Sequence, residues 1–346
     1  MGLTQEAFAR ALGLSSEFIS LLEAGKRAPS LNTLARISAH FNRDASFFLG
    51  EKEPAFTVLF RAAAHGVSPE ARLELEHFQR YGEDYLCLEE AMGRPLELAP
   101  LYSGTLSPER MAAEERRRLG LGDEPIRDIY ALLERNGCRI LRRPFPENVE
   151  ISGVFIFLEV QAAAFALINS AQTACRQVFT AAHEYCHYLK DRHDAPLIDS
   201  QEIFNNTSRS EGIGGRKGKP GTQNSAKEQF AQEFAARFLM PPAKVREVVD
   251  KDFGSGRRLS YDDILLLKRY FGVSAQAMLR TLRDLDLISA ARYEDFLSLD
   301  PVAREREVFG ASAEEYGPAS LFISDRYRLL EQKNRSKKGE TRHGPS

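Results

Sequence analysis

Charge of one sign is what this 346-residue sequence lacks first. Lys and Arg number 47 against 49 Asp and Glu, for a net charge of −2. A chain so balanced is no polycation drawn to nucleic acid over its whole length. Cysteine is scarce as well: Cys87, Cys138, Cys175 and Cys186 show no Cys-x-x-Cys spacing. That excludes a legible disulfide framework and points to reduced, mostly buried thiols. No apolar run is long enough to cross a bilayer, the most apolar stretch being the short Ala162–Ile168, and no secretory signal is legible. These absences predict a cytoplasmic protein with no membrane partner. What is present, 43% hydrophobic and 28% charged residues, is ordinary for a globular protein, and the length suggests two or three domains.

Against that plain background one stretch stands out. Residues 176–190 contain His183-Glu184-Tyr185-Cys186-His187. Residues four apart share a helix face, so His183 and His187 can reach one metal ion, while Glu184 points beside that face. With 7 His and 49 acidic residues in the chain, random placement gives about 0.02 such motifs. At 100° per residue, Val178, Phe179, Ala182, Tyr185, Cys186 and Leu189 form an apolar stripe. Arg176, Thr180, His183 and His187 fall on another face, with Glu184 beside it. The expectation is a helix that buries one side and turns both imidazoles toward a cleft, rather than a solvated helix with two surface histidines.

Two histidines leave a zinc site incomplete, since a catalytic site usually has three protein ligands and one open position. The stretch 226–239 reads as a helix stopped by Pro241-Pro242. Its buried stripe is Phe230, Ala231, Phe234, Ala235, Phe238 and Leu239. Glu228 sits at the edge of that stripe, about 140° from Glu233. A carboxylate at a buried edge needs a partner, which favours Glu228 as third ligand over Glu233, Asp191 or His193.

The pattern Arg-x-x-Phe-Thr-x-Ala-His-Glu-x-x-His, followed by Glu-x-x-Ala-x-x-Phe-Ala-x-x-x-Leu-Met-Pro, resembles the ImmA/IrrE metallopeptidases over roughly residues 105–290. The resemblance implies a zincin-like domain, a small sheet beside the His-Glu-x-x-His helix. It also implies Zn2+ held by His183, His187 and Glu228, with Glu184 as catalytic base. Its substrate would be a protein, itself a helix-turn-helix repressor, cleaved in a stress, DNA-damage or mobile-element response. Cys186 replaces the usual Gly before the second His; its place on the apolar stripe marks a packed thiol. The spacing from His187 to Glu228 is longer than usual, as an inserted loop would make it, and Asn205–Ser225 is Gly-, Ser- and Lys-rich without periodicity.

At the amino end, Thr4 can cap a helix through Leu12, Gly13 breaks it, Ser15 caps a second through Glu23, and Ser30 caps a third through Phe41. Two short helices across a Gly turn make a helix-turn-helix arrangement. Residues 3–50 resemble the Cro/repressor-type DNA-binding family. The resemblance places the second helix in the major groove, with Gln5, Ser16, Glu17 and Ser20 near bases and Lys26 and Arg27 near phosphates. The family has a further helix ahead of Thr4-Gln5-Glu6, so a marginal module is expected here.

Pro69 through Met92 reads as a connecting helix that packs or supports a homodimer, with Leu73, Leu75, Phe78, Tyr81, Tyr85 and Leu88 near helical spacing. Helices are expected from Ser107-Pro108 to Leu119 and from Glu124-Pro125 to Asn136, with Arg116–Arg118 a solvated face. Strands are expected at Cys138–Arg142, Ser152–Leu158 and Ala162–Asn169, the last two forming a hairpin. Tyr261–Tyr270 and Ala275–Leu287 form a second helix pair with Leu265, Leu266, Leu267 and Phe271 in its core. Residues 291–331 are weakly patterned, and the basic tail reads as disordered.

The fold class is therefore α+β. Its expected divisions are a helix-turn-helix module (1–60), a helical linker (61–104), the metallopeptidase (105–255), a helical C-terminal region (256–332) and a tail (333–346). The function expected is a zinc endopeptidase coupled to a DNA-binding module. The alternative is a transcriptional regulator whose peptidase fold senses a signal or cleaves its own chain.

Overall fold

In a computed structural model the chain is described at residues 4–41, 68–102, 104–147, 149, 151–194, 197–200, 223–254, 256–310 and 322–323. Of the expected insertion at 205–225, residues 205–222 lie outside them, while 223–225 belong to a helix; residues 51–65, read as a connection, and the tail at 333–346 also lie outside. The chain divides into two compact units, Met1–Val58 and Leu59–Ser346, and its class is α+β. No helix among the described residues is long and apolar enough to cross a membrane.

The first unit follows its caps. Thr4 accepts from the Ala7 amide to start α1 (Gln5–Leu12), and Gly13 closes it at φ 56°. That left-handed turn favours glycine, and a Cβ there would also meet the Arg36 guanidinium at 2.8 Å. Ser15 caps α2 (Ser16–Glu23). Ser30 accepts from the Thr33 amide at the start of α3 (Leu31–Phe41). Ala9, Leu12, Ile19 and Ile37 are the core, with Phe8, Leu14 and Leu22 packed on it half-buried.

The second unit opens with α4 (Pro69–Met92), α5 (Pro108–Arg118) and α6 (Ile129–Arg135). Three strands follow: β1 (Cys138–Arg143), β2 (Ile151–Leu158) and β3 (Ala163–Asn169). Next come α7 (Ala174–Lys190), β4 (Leu197–Ser200), α8 (Gln223–Leu239) and α9 (Pro242–Val248). The remainder is α10 (Tyr261–Phe271), α11 (Ala275–Asp284), α12 (Ala290–Leu297), α13 (Pro301–Phe309) and β5 (Phe322–Ile323).

The strands form one sheet in the order β4-β2-β3-β1-β5. β2 and β3 are the expected hairpin, antiparallel from Leu158↔Ala163 to Gly153↔Ile168. β1 lies parallel to β3, and β4 pairs antiparallel along the outer edge of β2. The short β4 and β5 carry too few residues to show a period-2 pattern in sequence. Every residue of β2 and β3 is buried, because helices cover both faces. Phe165 of β3 meets Phe78 and Tyr85 of α4 edge-on, each at 6.4 Å. Its neighbours Ala164, Ala166 and Ile168 join the main core with Tyr185 and Tyr188 of α7. Alternate β3 residues thus face the two helical layers.

α4 packs on the sheet, one of the two roles expected of it, with Arg139 and Glu89 forming a buried ion pair between them. Four local expectations are corrected. Leu73, read as part of the apolar spacing, is 50% exposed. Arg116 is no solvated residue: it is buried and hydrogen-bonds the carbonyls of Gly122, Phe238 and Glu124. α6 starts at Asp128, whose carboxylate accepts from the Ala131 amide, and not at Glu124-Pro125. Leu266 faces outward, while Leu265, Leu267 and Phe271 are buried as expected. The weakly patterned region holds α12 and α13, each with an N-cap side chain, Ser289 and Asp300.

α10 and α13 are joined by Lys268 Nζ and Glu305 Oε2 at 2.9 Å, both wholly buried. Removing one member strands the other charge in the interior. Glu305→Ala should therefore lower the unfolding free energy by about 3–5 kcal/mol. The double variant Lys268→Met, Glu305→Leu should recover most of that in a urea titration.

Candidate metal centre

The site is built on two helices and one strand. Thr173 caps α7, and the helix then runs between β2 and α8. Its apolar stripe is as expected at Ala182, Tyr185, Cys186 and Leu189, all wholly buried, whereas Val178 and Phe179 are half-buried. The opposite face is not an open cleft wall: Thr180, His183, Glu184 and His187 are all 0–1% exposed. α8 supplies Glu228, 3% exposed.

These side chains converge. His183 Nε2 lies 3.0 Å from Glu228 Oε2 and 3.1 Å from His187 Nε2, and His187 Nε2 lies 3.6 Å from Glu228 Oε1. One ligand atom from each residue falls within 4.8 Å of the others. Tetrahedral bonds of about 2.1 Å to imidazole nitrogen or carboxylate oxygen set ligand atoms about 3.4 Å apart. The three donors fit one small divalent ion and leave a fourth position open. The other three acid or imidazole groups weighed from sequence do not join them. Glu233 is exposed, and His193 pairs with Glu159 at the surface. Asp191 approaches the far nitrogen of His187, Nδ1, at 3.3 Å. That contact orients the ring and was readable in the four-residue spacing from His187.

The electrostatics describe a site made for positive charge. Burial opposes the charged imidazole of His187, but hydrogen bonds to Asp191 and Glu228 outweigh it and raise its pKa to about 10. Burial likewise opposes the Glu228 carboxylate, yet its bonds to His183 and His187 hold it down at about 2. Cys186 is wholly buried in the main core, and burial pushes its thiol well above the ordinary value. A protonated, packed thiol is no metal ligand.

Both helices are pinned from α5. Glu115 receives the Tyr185 hydroxyl, the Tyr102 hydroxyl at 3.1 Å and two bonds from Arg118. Arg116 Nη1 donates to the Phe238 carbonyl at 2.6 Å, near the end of α8. Beyond α7, the Tyr188 hydroxyl accepts from the Ala99 amide and donates to the Asn136 carbonyl.

In the first unit Gln5, Ser16, Glu17, Ser20, Lys26 and Arg27 are all exposed. Gln5 Nε2 donates to Glu23 Oε2 at 2.5 Å, and the Arg27 guanidinium lies 4.7 Å over the Phe18 ring.

Two known families match the chain. Residues 133–283 match the peptidase family described as the IrrE N-terminal-like domain, and residues 1–48 match the helix-turn-helix family. No curated protein matches it. The first match spans β1 to α11 and contains His183, His187 and Glu228.

The two shifted groups give opposite pH limbs to the metal-free protein. His187, raised from 6.5 to about 10, contributes stability that is complete below 6.5 and is lost as pH rises through 10. Glu228, lowered from 4.5 to about 2, contributes stability that is complete above 4.5 and is lost as pH falls toward 2. Metal-free protein should therefore gain most from this cluster between pH 4.5 and 6.5. A bound ion replaces the His187 proton, so loading near neutral pH should release about one proton per ion. Calorimetric titration in buffers of different ionisation enthalpy reads that number.

Proposed function

Starting from a chain that joins a helix-turn-helix module to an IrrE N-terminal-like peptidase domain, we propose a zinc-dependent endopeptidase acting on a protein substrate. The observation that carries the reading is the buried convergence of His183, His187 and Glu228 beside Glu184. Two imidazoles and one carboxylate are a donor set suited to zinc, with one position left for substrate chemistry. Zinc bound there would act as a Lewis acid, polarising a carbonyl and making water more acidic.

The protein's own groups do the rest. His183, His187 and Glu228 hold the ion, and Asp191 fixes the ring of His187. Glu184, adjacent in sequence to His183 but outside the ligand set, takes the proton of the attacking water. It later returns that proton to the departing amine, so one carboxylate serves as base and then acid. Tyr185 holds the helix: burial and the Glu115 carboxylate keep its phenol well above its ordinary pKa, so it stays a neutral donor.

The substrate class we favour is a repressor-like regulatory protein, cleaved in the cytoplasm during a stress, DNA-damage or mobile-element response. DNA engages the N-terminal module through Gln5, Ser16, Glu17, Ser20, Lys26 and Arg27, and a homodimer is compatible with two half-sites. The second reading, a regulator that senses or cuts itself, draws on the repressor-type module within the same chain.

Glu184→Gln separates these readings. Zinc content should stay at one per chain while cleavage of a repressor substrate, followed by mass spectrometry, falls by about 10²–10⁴-fold. Normal induction in cells carrying Glu184→Gln would sink the enzyme reading. Shortening of the wild-type chain, but not of Glu184→Gln, would favour self-cleavage. Asp191→Ala should keep the fold and weaken zinc binding by about 10–100-fold, measured by competition with a chromogenic chelator.

A further inference from the structure

Gly153 lies in β2, beside an irregularity in the pairing with β4 between Ile151 and Gly153, but its φ is not positive, so its backbone conformation does not by itself require glycine. Its reason is space. A Cβ built there would run into Glu184 Oε1, and would lie 2.7 Å from Thr180 Cγ2 and 3.0 Å from Glu184 Cδ. The strand cannot step back, because Gly153 is paired on both sides, with Ile168 of β3 and Asp199 of β4. Glu184 and Thr180 are both wholly buried, so neither can swing into solvent without opening the helix–strand contact.

Thr180 adds a second observation. It precedes Glu184 by one helical turn, on the same side of α7. A buried helical threonine commonly bonds the carbonyl four residues back. Here the Thr180 Oγ1 atom is sealed from solvent and has no hydrogen-bond partner among the described residues. Its methyl group faces Gly153.

We propose that Gly153 and Thr180 form a slot that positions the Glu184 carboxylate beside the metal ligands, which makes both of them positioning residues for the base. The inference rests on the role given to Glu184 above. The slot accepts a carboxylate only because position 153 carries no side chain. Any larger residue displaces Glu184 first, because the nearest atoms to that Cβ belong to Glu184 and Thr180 and not to His183, His187 or Glu228.

Two measurements test it. The first needs neither metal nor substrate: thermal melts of metal-free protein carrying Gly153→Ala, Glu184→Ala, or both. Gly153→Ala should lower Tm in the parent, and by less than half as much in the Glu184→Ala background, where the obstructing carboxylate is gone. Additive shifts, or failure to fold in both backgrounds, would overturn the slot. The second uses cobalt-loaded protein, with acetohydroxamate as probe and the visible cobalt bands as readout. A hydroxamate held by the ion carries a proton that a neighbouring carboxylate can accept, and loss of such a charged hydrogen bond weakens binding by about tenfold or more. Glu184→Gln and Gly153→Ala should each keep one cobalt per chain and lose about tenfold in acetohydroxamate affinity. Adding Thr180→Ser to Gly153→Ala removes the crowding methyl and should restore at least half of that loss on a logarithmic scale. Parent-like affinity in Gly153→Ala would refute the positioning role. If Glu184→Gln itself leaves affinity unchanged, the base assignment above fails and the positioning role with it, while the melts still judge the slot.

Discussion

A carboxylate held between two imidazoles, all three out of water, is the constraint on which the second unit is built. Glu228 is 3% exposed, and His183 and His187 are at most 1% exposed. A buried charge persists only with close compensation. Glu228 comes from α8 and the imidazoles from α7, so the compensation fixes how near the two helices lie. Neighbouring residues of α5 maintain that spacing from one position. Glu115 grips α7 through the Tyr185 hydroxyl, and Arg116 grips α8 through the Phe238 carbonyl. Opposite charges one residue apart on a third helix thus hold the two halves of the cluster. The Arg116 side chain is itself buried, where its hydrogen bonds to three carbonyls satisfy the guanidinium.

The same cluster couples folding to loading. Without metal, a proton on His187 supplies the positive charge that Glu228 and Asp191 demand, which is why that imidazole holds its proton to about pH 10. An ion bound by the folded cluster and not by the unfolded chain adds stability in proportion to the logarithm of its concentration over Kd. On the proposed reading, metal and proton compete for one buried position. Asp191 has a part in both states: it stabilises the charged ring in one and orients the neutral ring in the other.

How much of this was legible depended on how local each signal was. His183, Glu184 and His187 lie within one helical repeat, so a period of 3.6 brought them together on paper. Glu228 needed only a second period, from its place beside Ala235 and Leu239. The caps at Thr4, Ser15 and Ser30 are single-residue signals and read directly. Arg116 misled because a run of three arginines looks solvated, and only the fold shows the carbonyls that satisfy it. The polar face of α7 misled for a related reason: periodicity separates two faces but cannot tell a cleft from a second buried interface. β4 and β5 were invisible because so few residues carry no period, and their pairing is dictated by distant strands.

Gly153 was the least legible, because a glycine inside a strand is read as a weakness until its neighbour across the layer is known. On a helix, successive side chains diverge by about 100°, so Glu184 cannot share the ligand face of His183 and must project toward whatever lies beside it. What lies beside it is β2. A paired strand offers a carboxylate no room unless one residue gives up its side chain, and the residue opposite Glu184 does. The separation of the proposed base from the proposed ligands is therefore set by the helix, and the room for that carboxylate by the strand. Burial then sharpens the consequence: in a water-poor interior a charged group interacts strongly with its surroundings, so a small displacement of that carboxylate changes its environment far more than it would in solvent.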